Sequence, residues 1–240
     1  MAENRITLHH WNSFIKGTGV VRETAAGVRL ATLDAVSSRY TDAQLDDYHP
    51  LPRRDFLWRP PLRLTIRARF SHPAETMRGT AGFGFWNDPF MMTGKRSLAL
   101  PQAIWFFFSS PPSNMKLDSH TPGPGWKAAT IDAGRWPFLA LLPIAPLAVP
   151  LMNIGGLYRA CWPIGQRAIR VSEAALPLDM TVWHTYRIDW QPDTARFTVD
   201  DDRTVLDCRT SPRGPLGFVA WLDNQYMIVT PWGKFGAGLV

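Results

Sequence analysis

Most of the chain alternates apolar and polar residues with a period of two, the pattern of strands that bury one face. In LRLTIRARF, Leu62, Leu64, Ile66, Ala68 and Phe70 share one face, and Arg63, Thr65, Arg67 and Arg69 share the other. This predicts an antiparallel strand with one wet side. TAGFGFW places Ala81, Phe83 and Phe85 on one side and Gly82, Gly84 and Trp86 on the other, where glycines leave room above a sheet. WHTYRIDWQPDTARFTVDDD reads as a hairpin around a QPDT turn with a further turn at Asp200–Asp202. GPLGFVAWL and QYMIV supply two later strands. Helical periodicity is scarce, with one short turn expected in VSEAALPLDM. Many strands joined by proline-rich connections predict an all-β sandwich or jelly roll, as a single domain over residues 1–240.

Two stretches depart from plain alternation. PQAIWFFFSS (101–110) sets five large apolar residues in a row. The pleat sends Ile104, Phe106 and Phe108 toward a core between sheets, and Ala103, Trp105, Phe107 and Ser109 to the opposite face. WPFLALLPIAPLAVPLMNIGG (136–156) is almost wholly apolar and carries Pro137, Pro143, Pro146 and Pro150. It is too short and too interrupted to span a membrane as a helix. It predicts an apolar insertion over 137–156, read as a buried loop or broken helix on the sandwich edge. The functional readings are a hydrophobic lid, or a self-association or membrane-surface patch through 137–152.

Composition narrows the classes. The 240 residues are 45% hydrophobic and 19% charged, so a full core forms and global disorder is excluded. Eleven Trp and 13 Phe exceed what a core requires, and surplus Trp often lines ligand clefts. The net charge is +6, but the arginines are scattered among strand-like segments rather than clustered beside exposed aromatics, so no nucleic-acid partner is expected. Attraction to anionic lipid stays open. Two cysteines, Cys161 and Cys208, make no disulfide framework, and the N-terminus shows no basic region followed by an apolar run. A cytoplasmic location with free thiols is the expectation. His9, His10 and His49 lack metal-ligand spacing with His72, His120 or His184, and neither a metal nor a cofactor is expected.

WHTYRIDWQPDTARFTVDDD also resembles the late hairpin of the concanavalin-A-like jelly rolls, in particular the family-sixteen glycoside hydrolases (laminarinases and their relatives). A Trp/Phe-His-x-Tyr strand, a W-x-P-D turn and a V-D-G-type turn come there in this order. LRLTIRARFSHPAETMRGTAGFGFWNDP is similar to the paired strands that precede that family's catalytic strand. The resemblance covers roughly residues 60–110 and 183–235 and implies a cleft on the concave sheet. The family places its acids on the next strand as E-x-D-x-E or E-x-D-x-x-E, since alternate residues share a face. A retaining mechanism needs two carboxyls about 5–5.5 Å apart. The strand in that place here is AIWFFFSS, which holds no acid, and no Glu lies between Glu75 and Glu173.

The same parity nominates the remaining site residues. Trp86, Trp105, Phe107 and Ser109 line the expected cleft, joined by Trp221, Asp223 and Gln225 and by Tyr40, Gln44 and Asp46. Asp223 and Asp46 are the candidate acid–base groups, because a carboxyl desolvated among aromatics has a raised pKa. Asp88 is a further cleft carboxyl, while Asp223-Asn224 and Asp46-Asp47 also read as plain turn or strand-end pairs. Three functions follow. The first is binding of an apolar small molecule (terpenoid, polyketide or lipid-like), with isomerase- or cyclase-like acid–base chemistry. The second is a carbohydrate-active protein, lectin-like or a divergent hydrolase. The third is attachment to a partner or membrane through 137–152.

Overall fold

The computed structural model describes residues 11–89, 98–115, 118, 120–201, 203–229 and 234–240. His9, His10 and Asp202 of the sequence reading lie outside them. A seven-stranded antiparallel sheet runs in the order β1 (Asn12–Lys16), β4 (Asp42–Asp46), β14 (Gly217–Asp223), β6 (Thr80–Trp86), β7 (Gln102–Ser109), β9 (Gly125–Asp132) and β10 (Ser172–Ala175). Against it packs a four-stranded sheet, β13 (Arg203–Cys208), β12 (Ala195–Val199), β11 (His184–Trp190) and β5 (Leu62–Ala68). A smaller sheet joins β16 (Phe235–Leu239), β15 (Gln225–Val229) and β8 (Asn114–Met115), the last pairing in parallel. β2 (Gly19–Thr24) and β3 (Gly27–Thr32) form a hairpin. The fold is an all-β sandwich of the jelly-roll kind.

The alternation predicted for these strands sets the layers. β5 alternates half-buried and exposed residues along its whole length, with Arg63, Thr65 and Arg67 outside. β11 and β12 form the expected hairpin, registered from Tyr186 opposite Val199 to Trp190 opposite Ala195. Between the sheets lie Phe83, Phe85, Ile104, Phe106, Phe108 and Trp126 from one side and Tyr186, Ile188, Trp190 and Phe197 from the other. Phe106 is fully buried and meets Tyr186 and Phe197 edge-on, at ring-centroid distances of 5.0 and 5.3 Å. Such contacts favour the aromatic quadrupoles as well as removing apolar area from water.

Two expectations require correction. VSEAALPLDM holds no helical turn at its start: Ser172–Ala175 forms the edge strand β10, paired with β9. The apolar insertion is helical and extends past its predicted end. It comprises α1 (Trp136–Leu139), a 3₁₀ turn at Leu142–Ile144, α2 (Ala145–Leu151) and the 15-residue α3 (Gly155–Ile169). α3 escapes sequence reading because two glycines open it, no side chain caps it, and Pro163 lies inside it. It ends where Arg170 takes a left-handed backbone (φ 55°, ψ 46°). Of the two readings of this segment the broken helix matches the structure and the buried loop does not. Tyr158, Ala168 and Ile169 are buried, but Trp136 and Leu147 are 76% and 74% exposed. Among the described residues no helix is long and apolar enough to cross a membrane.

This division between core and surface predicts a contrast in urea titration. Phe106→Ala costs about 3–5 kcal/mol of stability, the range for an aromatic removed from a packed core. Leu147→Ser stays within about 0.5 kcal/mol, as for an exposed side chain. Equal losses at the two positions would contradict the layering.

Candidate ligand-binding face

The outer face of the seven-stranded sheet is built by register. Gln44, Trp221, Gly82, Phe107 and Lys127 form one cross-strand row, and Asp46, Val219, Gly84, Trp105 and Ala129 the next. The two glycines are required by what lies over them. A Cβ on Gly82 would meet the Trp221 ring at 2.6 Å, and one on Gly84 (φ 151°) would meet Trp105 Cβ at 2.6 Å. Four aromatics therefore gather on the sheet. Trp86 and Trp221 are parallel with centroids 6.4 Å apart, Trp105 stacks on Phe107 at 5.6 Å, and Trp105 tilts against Trp221 at 5.2 Å. Trp86 and Phe107 are buried, whereas Trp105 and Trp221 remain half-exposed and present the accessible surface.

Hydrogen bonds fix this cluster in place. Trp86 Nε1 donates to the Tyr48 hydroxyl, and Gln44 Nε2 donates to Asp46 Oδ2 at 2.9 Å and to the Tyr48 hydroxyl at 3.4 Å. Trp221 Nε1 donates to Thr80 Oγ1 at 2.9 Å, which in turn donates to Asp223 Oδ1 at 2.8 Å. The Trp105 indole N–H is not held in this way.

Asp42 and Asp223 are direct cross-strand partners on β4 and β14, one row beyond Trp221. Both are almost wholly buried, at 2% and 6% exposure. Burial first, then the Asp223 charge, pushes the Asp42 pKa up to about 8; burial pushes Asp223 up to about 6. Asp223 is kept lower by hydrogen bonds from the Thr80 hydroxyl and the Thr80 and Gln225 amides. Asp42 Oδ1 accepts no hydrogen bond among the described residues. The Tyr40 hydroxyl is near enough to lower the Asp42 pKa somewhat, but is not in hydrogen-bonding geometry. Near neutrality Asp42 is thus expected to keep its proton while Asp223 is largely ionised. Asp42 was absent from the sequence-derived set although it shares parity with Gln44 and Asp46, and that parity was the available signal.

The other nominated residues fall in distinct places. Asp46 is a fully buried strand-end brace, accepting hydrogen bonds from Gln44 Nε2 and from the amides of Tyr48 and His49. Ser109 is buried opposite Thr80, and Tyr40 sits beside Asp42. Gln225 belongs to β15 in the smaller sheet and reaches Asp223 only through its amide. Asp88 is buried in a turn (φ 45°), where its carbonyl accepts from Arg53. Asn224 accepts the Thr41 amide and donates to the carbonyls of Val36, Arg39 and Val240, a structural tie. Sequence reading also missed the buried ion pair across the sheet, Lys127 Nζ to Glu173 Oε2 at 3.5 Å. Burial lowers the lysine pKa and raises the glutamate pKa, each partly opposed by the partner. No group of three His, Cys, Asp or Glu with metal-binding arrangement occurs among the described residues. A polar depression of ≈ 320 Å³ lined by Thr185, Arg187, Thr198, Asp200 and Asp201 lies on the far side of the molecule, on the four-stranded sheet. It contains no aromatic platform, and Asp200 there is engaged by His184.

The fold and this face define a jelly roll with an aromatic platform bordered by buried charge. No family model and no curated protein matches the chain. Among solved structures, it is similar to the Bacillus licheniformis β-glucanase (13% identity, 91% of this chain and 80% of that chain, TM-score 0.46). It is also similar to the GlcNAcα1-4Gal-releasing endo-β-galactosidase from Clostridium perfringens (14%, 91% and 53%, TM-score 0.46). A Crh5 transglycosylase in complex with NAG aligns at 10% identity over 90% of this chain, with a TM-score of 0.44. The chain spans 64% of the length of that transglycosylase.

The raised carboxyls predict a pH signature. Below about pH 3.8 Asp42 is protonated in both folded and unfolded chains. From there to about pH 8 the folded chain keeps a proton that the unfolded chain has released, so stability falls as pH rises through this window. Asp42→Asn removes that part of the slope. Thermal melts of both proteins from pH 4 to pH 9 check it, and parallel curves would refute the assignment.

Proposed function

We propose that the chain binds carbohydrate on the outer face of the seven-stranded sheet, a sugar ring lying on Trp105 and Trp221. The observation that carries this reading is the half-exposed indole pair, of which Trp221 is anchored through Thr80. A sugar ring has apolar C–H faces that stack on indole and hydroxyl edges that need hydrogen-bond partners. Asp42, Asp223 and the Lys127–Glu173 pair are themselves almost wholly buried, so they act on a ligand through their field rather than by contact, and a polar ring answers that field where hydrocarbon does not. The mixed chemistry of the face thus supports the carbohydrate reading over a terpenoid or lipid-like one.

Asp42 and Asp223 together offer one proton donor and one acceptor at the Trp221 end of the platform. They sit on neighbouring strands, whereas the resemblance implied acids spaced along a single strand, so glycosidase roles are not transferred to them by motif.

Fluorescence titration with laminarin-type oligosaccharides and, separately, with a terpenoid alcohol separates the readings. Oligosaccharide binding that weakens at least about tenfold in both Trp105→Ala and Trp221→Ala is expected, the size of a central aromatic contact. A response to the terpenoid alone would replace carbohydrate by an apolar ligand.

A further inference from the structure

Seventeen large hydrophobic side chains are exposed among the described residues, and nine of them lie between residues 136 and 164. Trp136, Ile144, Leu147, Leu151, Ile154 and Ile164 are 50–76% exposed. Elsewhere such residues are single or paired, which is ordinary for a surface; this concentration is not. Pro143 and Pro146 open the 3₁₀ turn and α2, and Pro150 and Pro163 lie inside α2 and α3, so the segment is a series of separate helices presenting several apolar ridges.

Within the segment itself charge has one sign. No acid occurs from residue 133 to 172, while Arg159 and Arg167 are exposed on α3. Arg135 is committed to Asp132 and to the Ser211 carbonyl and does not contribute. On α3 the helical repeat puts Leu157 and Ile164 on one line. At about 100° per residue Arg167 lies roughly 70° round from that line, opposite Tyr158, while Arg159 lies roughly 150° from it on the exposed side. With Leu157 and Ile164 turned to a lipid headgroup layer, Arg167 flanks them within reach of phosphate, Arg159 adds positive charge on the exposed side, and Tyr158 and Ile169 stay on the protein. Trp136, the most exposed of the set, has the amphipathic ring favoured at such a boundary.

We infer that the helical insertion 136–169 is a docking surface for an anionic lipid membrane, its exposed apolar side chains entering the headgroup boundary, Arg167 reaching lipid phosphates and Arg159 adding to the electrostatic attraction. A second copy of the chain is the less suitable occupant. Two copies related by a twofold axis would bring cationic flanks together, and the segment holds no carboxylate to answer them. The anchoring is rooted in the sandwich. Ile169 and Val171 pack with Ala133 at the end of β9, and Ile131 links that cluster to the one beneath Trp105.

Flotation of the whole chain with vesicles tests the inference, using phosphatidylcholine alone and phosphatidylcholine with phosphatidylserine. Recovery with the anionic vesicles, falling with added salt, is expected. Two independent variants should each weaken it: Leu147→Ser with Ile154→Ser, and Arg159→Glu with Arg167→Glu. The arginine pair should cost at least about tenfold, from the energy of a basic residue at an anionic surface. Each variant should keep the wild-type melting temperature, since all four side chains are exposed. Absence of flotation with either vesicle overturns the inference. So does concentration-dependent dimerisation, seen by sedimentation and abolished by the leucine–isoleucine variant, without vesicle binding. Equal recovery with neutral and anionic vesicles would overturn the role given to the arginines.

Discussion

The pleat of β7 sends Phe106 and Phe108 one way and Trp105 and Phe107 the other, and each set has to be covered or used. The inner set is covered by the four-stranded sheet, where Phe106 meets Tyr186 and Phe197. The outer set is covered only in part, by Trp86 and Trp221 across Gly84 and Gly82. A sheet that is apolar on both faces cannot leave one open to water without cost. Its outer aromatics are therefore packed against each other and tied by hydrogen bonds, leaving two indoles partly free. The sandwich and the candidate binding face follow from this one strand.

The same crowding explains the electrostatics of that face. Asp42 and Asp223 share a row beyond Trp221, and Lys127 and Glu173 meet on the other side of Phe107. In each case burial is the largest influence, and it drives the groups toward their neutral forms. Charges removed from water interact strongly with each other and with any polar ligand that reaches them. AIWFFFSS predicts an apolar floor in place of acids on that strand, with Asp223 and Asp46 as the candidate acid–base groups beside it. The folded chain carries aromatic rings with buried carboxyls and an ion pair on their borders.

The insertion between β9 and β10 obeys a different rule. Strands of the sandwich hide their apolar residues, whereas α1, α2 and the outer line of α3 display them. Only one side of α3, with Tyr158 and Ile169, is fastened to the sheet. Proline and paired glycine keep the segment from continuing the β pattern and from becoming one long helix. What results is an apolar, cationic outgrowth on an otherwise conventional sandwich surface.

Alternation alone was sufficient to read β5, β6, β7, the β11–β12 hairpin and β14, because a period of two survives in any register that buries one face. It also assigned Trp105, Phe107, Trp86 and Trp221 to a common side. The β2–β3 hairpin, the edge strand β10 and helix α3 were not legible, since their local pattern is weak and neighbours or capping geometry fix their conformation. Pairing of strands distant in sequence was equally hidden. Asp42 stands opposite Asp223, 181 residues away, only because β4 and β14 become neighbours in the sheet. Local patterning thus determined which residues share a face of a strand. Tertiary structure decided which faces meet, because hydrogen-bonded register between remote segments leaves no periodic trace in the chain.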